Sequence, residues 1–154
     1  MTKSVIFSLI AALVFFSFTG CKKTTSSNKT ATSAHNSTSS RKMSGACLNC
    51  HTSGGNGPGW WTVAGTVYTE DFSATSPNGT INFYSEPFGA GTVVATIEVD
   101  ANGNFYTSKT ILPAAGAYPQ LVGTSGNMQD MPALCTSGDC NSCHGVTCAK
   151  IWIN

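Results

Sequence analysis

Two pentapeptides hold most of the side chains in this chain that could do chemistry. Cys47, Cys50 and His51 stand in CLNCH, and Cys140, Cys143 and His144 stand in CNSCH. Two intervening residues place both sulfurs of each pair on one turn of chain, with an imidazole directly behind. Such a set can bind a metal, close a disulfide, or bond covalently to a ligand whose metal the imidazole then takes. Only the last use requires histidine at that position. With 7 cysteines and 3 histidines in 154 residues, chance placement gives on the order of 0.006 copies of the pattern per chain. Two copies are therefore a signal rather than an accident of composition.

The pattern is that of haem attachment, in which two thiols add across the porphyrin vinyl groups and the following histidine binds iron. CLNCH and CNSCH resemble the attachment sites of c-type cytochromes. By that resemblance Cys47 and Cys50 hold one covalent haem c with His51 as proximal ligand, and Cys140, Cys143 and His144 hold a second. The implied function is electron transfer with redox partner proteins, and no enzymatic reaction. No third histidine lies in the body, so the sixth iron ligands are sought among methionines. Met128 and Met131, in NMQDMP just before the second motif, are the candidates, with Met131 favoured and Met43 a further possibility. A methionine ligand raises the reduction potential relative to a second histidine. Trp60, Trp61 and Trp152 lie near the motifs in sequence and could pack over the porphyrins or simply fill core.

The compartment follows from the first residues. Ser4 to Phe18 form an apolar run after a weakly basic start. That run is shorter than the about 20 residues of a membrane span but suits a secretory signal over residues 1–20. FTGC, ending at Cys21, resembles a bacterial lipoprotein processing site, so Cys21 is expected to be lipidated. The protein is then exported and membrane-anchored, on the periplasmic side or at the cell surface. Exported thiols are rarely left free. With Cys21 lipidated and four cysteines in the motifs, Cys135 and Cys148 remain and are expected to form a disulfide around the second motif. From Met43 onward two basic residues face seven acidic ones, a net of −5. An acidic body argues against a nucleic-acid ligand and suits a basic partner.

These groups need a scaffold. Residues 21–42 are Ser, Thr, Asn and Lys with little to bury, which reads as a flexible lipid-anchored tether; His35 lies within it as a solvated side chain. Residues 43–154 form a single domain. TSGGNGPG after the first motif reads as a loop. Trp61–Tyr68, Thr80–Ser85, Thr92–Val99 and Phe105–Leu112 read as strands, the last two joined as a hairpin by the plain turn DANGN. Ala117–Gly123 reads as a Pro-interrupted edge strand. No sustained helical period follows the apolar run, so helices are expected to be short and confined to the motifs. The fold class is mainly β, a small antiparallel sandwich flanked by two short haem-binding segments. VAGTVY and VDANGNFYT within Trp61–Gly123 resemble the carboxypeptidase-regulatory-like and prealbumin-like sandwiches of exported proteins. Two other uses of the cysteines stay open: a zinc site of Cys47, Cys50, Cys140 and Cys143, or three disulfides stapling a binding module.

Overall fold

A computed structural model describes residues 30–41 and 45–154. The signal segment, Cys21 and Met43 lie outside these described residues. The chain is mainly β, as its alternation requires. The strands are β1 (Val63–Thr69), β2 (Thr80–Tyr84), β3 (Val93–Glu98), β4 (Asn104–Thr107), β5 (Tyr118–Val122), β6 (Met128–Asp130) and β7 (Ile151–Ile153). Regular helix among the described residues is confined to the motifs: a 3-10 turn at Cys47–Asn49 and the one-turn helix α1 at Cys140–Cys143.

The strands form two sheets, β4-β1-β7 and β3-β2-β5-β6. All pairings are antiparallel except β1 with β7, which runs parallel from Val67↔Ile151 to Thr69↔Ile153. Between the sheets lies one core that includes Val63, Val67, Ile81, Phe83, Ile97, Phe105, Leu121 and Ile153. The period of two is visible in β2, where Ile81 and Phe83 are buried between half-buried neighbours.

Three expectations need correcting. DANGN does form a turn, with the Gly103 N–H donating to the Asp100 carbonyl at 3.0 Å. It does not close a hairpin, because β3 pairs with β2 while β4 pairs with β1. The reason is Asp100, fully buried, whose Oδ1 accepts the N–H groups of Asn102 and Asn104 at 2.9 Å each. That corner carries the chain from one sheet to the other. Second, β5 is an interior strand between β2 and β6. Pro119 is tolerated there because its nitrogen and carbonyl point to the β6 side, where β6 has ended and Met131 N–H meets the Pro119 carbonyl at 2.9 Å.

Third, the described part of the tether, residues 30–41, lies against the sandwich. Thr32 bridges Thr107 along the outer edge of β4. Ser33 is buried, with its N–H donating to Tyr106 O and its Oγ accepting the Tyr106 N–H, both at 2.9 Å. The segment covers a strand edge through hydroxyls and backbone rather than apolar side chains. His35 accordingly sits with Nε2 2.9 Å from Gly79 O rather than in solvent alone.

The second motif is joined to β1 where β7 is not. Ala64 N–H donates to Gly138 O at 2.8 Å, and Asp139 bridges Ala64 in parallel. A Cβ on Gly138 would stand 1.8 Å from Thr62 O. Gly138→Ala is therefore expected to push the α1 segment off β1 and cost about 3 kcal/mol. A fall in the urea midpoint at unchanged slope would register it.

Candidate cofactor-binding sites

The second motif faces a cavity of about 570 Å³. Cys140, Cys143, His144, Met131 and Trp152 line it. The single turn of α1 brings His144 N–H to Cys140 O at 2.9 Å, gathering both thiols and the imidazole at one wall. His144 Nδ1 lies 2.7 Å from Ala149 O. A carbonyl only accepts, so Nδ1 carries the proton and Nε2 keeps its lone pair for a metal. Metal-binding histidines have this arrangement on their far nitrogen.

The first motif repeats that arrangement with different parts. His51 N–H donates to Cys47 O at 3.1 Å, and His51 Nδ1 donates toward Pro58 O and Gly59 O at 3.2 and 3.3 Å. The glycine loop makes this possible: a Cβ on Gly57 would come within 2.8 Å of His51 Nδ1 and 2.9 Å of Cys50 O. The ring stacks on Trp61, centroids 3.4 Å apart at 7°, and Trp61 stacks on Tyr106 at 4.3 Å and 17°. Burial lowers the His51 pKa, against the two carbonyl hydrogen bonds, and so favours the neutral ligand form. This motif faces its own cavity of about 560 Å³, lined also by Ser40 and Arg41 of the docked N-terminal segment.

The two sites are neighbours. Phe105 lines both cavities. Gly65 stands behind it, and a Cβ there would be 2.4 Å from Phe105 Cζ and 3.1 Å from Cys140 Cβ. Asn141, the first spacer of CNSCH, is buried and donates to Gly45 O at 3.1 Å and toward Cys47 Sγ at 3.7 Å. Thus the sandwich brings motifs about ninety residues apart into direct contact.

Two of the motif thiols have raised pKa values. Burial, helped by the Asp139 carboxylate, pushes Cys47 up to about 11. Burial also raises Cys140, with Cys135, Asp139 and Cys47 adding to it. Asp139 is itself raised by burial, opposed by the Leu48 N–H. Two buried polar atoms in the cavity walls have no hydrogen-bond partner: Trp61 Nε1 in the first and Asp139 Oδ1 in the second.

The remaining predicted residues divide. Met131 enters the second cavity, but Met128 lies in β6 paired with Val122, is 60% exposed and lines neither cavity. Trp61 and Trp152 line cavities, and Trp60 does not. The expected Cys135–Cys148 disulfide is not formed; both thiols are free. Cys135 is fixed to Ala117 by a backbone bridge with Sγ turned to Ser137 O at 3.0 Å, while Cys148 is held exposed in the turn that bridges back to His144.

Among the described residues no group of three or more His, Cys, Asp or Glu is arranged to hold a metal ion. Cys47, Cys135, Cys140, Cys143 and Cys148 are free. Sequence reasoning missed Asn141, Thr66, Phe105 and Tyr106. Asn141 reads as a spacer, and the others read as ordinary strand residues. The chain matches no protein-family model, no curated protein and no solved structure.

Proposed function

We propose that this is an exported, lipid-anchored electron-transfer protein carrying two covalently attached haem c groups, with redox proteins as partners and no substrate chemistry of its own. One observation carries the reading: each Cys-x-x-Cys-His faces its own cavity with its histidine Nδ1 tied to a backbone carbonyl and Nε2 left for iron. The volumes, about 570 and 560 Å³, fall within the roughly 300–1,000 Å³ of cofactor sites. The largely apolar walls suit a planar apolar group. Haem bound at these sites would supply reversible one-electron chemistry at its iron.

The chain's own residues would do the rest. Cys140 and Cys143 would hold the group of the second site, with His144 and Met131 of the same cavity as the candidate iron ligands. Cys47, Cys50 and His51 would do the same for the first site. Trp61 and Tyr106 stack behind His51 and fix its ring against rotation. The acidic body offers a surface for a basic partner.

Intact mass under denaturing conditions tests this reading. Covalent haem adds about 0.6 kDa per site and survives unfolding; an apoprotein mass from cells competent in haem attachment would refute it. The ligand assignment has its own test. Met131→Leu is expected to lower the potential of one of the two centres in a redox titration, since methionine sulfur favours the reduced iron. Met128→Leu, which lines neither cavity, is expected to leave both potentials unchanged.

A further inference from the structure

Between the two cavities runs a chain of buried amides and a hydroxyl that neither motif requires. Asn141 occupies a spacer position open to any residue, yet it is 5% exposed. Its Oδ1 accepts the Thr66 N–H at 3.2 Å, and its Nδ2 donates to Thr66 Oγ1 at 3.2 Å as well as to Gly45 O. The Thr66 hydroxyl donates onward to Asn104 Oδ1 at 2.8 Å. Asn104 Nδ2 then donates to Ser40 Oγ at 2.8 Å and Arg41 O at 2.9 Å. Gly45, Cys47, Ser40 and Arg41, where this chain ends, all belong to the wall of the first cavity.

The direction of dependence follows. The helix of the second motif is seated on β1 by its own backbone, through Gly138 and Asp139. The first motif has no such ladder, for neither Gly45 nor Cys47 pairs with a strand. Segment 40–41 instead reaches the sandwich through Asn104 and through Asn102, whose Nδ2 donates to Ser40 O at 2.7 Å, and Gly45 and Cys47 are held by Asn141. A buried amide that loses its partner costs about 1–3 kcal/mol, so a break is felt where no other contact compensates.

We propose that Asn141, Thr66 and Asn104 are positioning residues for the first site, so that a residue inside the second motif determines whether the first is assembled. The inference rests on the haem reading for what fills the cavity, but the placement of Cys47 it asserts belongs to the chain alone.

The experiment uses the full-length protein in two forms, with Thr66→Val and Asn141→Ala as disrupting variants and Thr66→Ser as the conservative control. In the reduced apoprotein, iodoacetamide alkylation of each cysteine is followed by peptide mass. Thr66→Val and Asn141→Ala are expected to speed alkylation of Cys47 about tenfold, the factor for one lost buried hydrogen bond. Exposed Cys143 and Cys148 serve as unchanged references, and Thr66→Ser retains the wild-type rate. In the haem-loaded protein, Thr66→Val loses haem at Cys47/Cys50 and keeps it at Cys140/Cys143. Unchanged Cys47 alkylation in both disrupting variants, or loss at the second site with the first intact, would overturn the proposal. If Asn141→Ala does not fold, the near-isosteric Thr66 pair decides alone. A wild-type protein without haem would sink the functional reading, while the alkylation rates would still judge this one.

Discussion

Changing Cys140 and Cys143 together to serine is expected to remove one haem entirely and leave the other in place. The intact mass should fall by about 0.6 kDa relative to the two-haem protein, and the haem content per chain should halve. The argument is local. These thiols sit on one helical turn beside His144 in a cavity that Cys47 and Cys50 do not line. Serine preserves the helix, and Asn141 remains to hold Gly45. The reciprocal change at Cys47 and Cys50 should give the mirror result. Loss of both haems from either double variant would mean that the two motifs share one group rather than holding one each.

The second large effect is expected at Phe105. It is 2% exposed, pairs with Gly65 across β1 and β4, and forms wall for both cavities. Phe105→Ala removes a buried ring that walls both cavities. A cost of about 3–5 kcal/mol is expected from the lost transfer energy and the void left behind, read as a lower urea midpoint. Because the same ring walls both cavities, haem content should fall at both motifs together. Phe105→Leu retains much of the apolar bulk and should lose less. A Phe105→Ala protein with wild-type stability and both haems would show that the partition is not needed.

Much of the scaffold is legible in the residues. Alternation in TINFYS and TVVATIEV marks β2 and β3, and a small sandwich follows from short strands between Gly, Asn and Pro turns. What alternation cannot say is which sheet a strand joins. DANGN looks like a hairpin turn, but the buried Asp100 carboxylate makes it a corner between sheets. The docking of residues 30–41 is hidden for a related reason. Ser33 and Thr32 pair through hydroxyls and backbone, so a reading that counts apolar side chains sees only a tether.

At the site, the six motif residues are legible because covalent attachment constrains both type and spacing. Their surroundings are not. Met128 and Met131 look equivalent in NMQDMP, and only the end of β6 separates them: one is inside the strand and exposed, the other past it and turned into the cavity. Cys135 and Cys148 look like a clamp when cysteines are merely counted. Their backbones bridge to Ala117 and His144, and both thiols are free. Asn141 carries no signal at all in sequence, since its role depends on a strand seventy-five residues away.

The central claim is that two haems are bound covalently, one at each Cys-x-x-Cys-His. A pyridine haemochrome spectrum of the purified full-length protein, made in cells able to attach haem, tests it most directly. The account predicts a c-type spectrum with two haems per chain that persist through acid–organic extraction. A colourless protein, or haem that extracts freely, would contradict it.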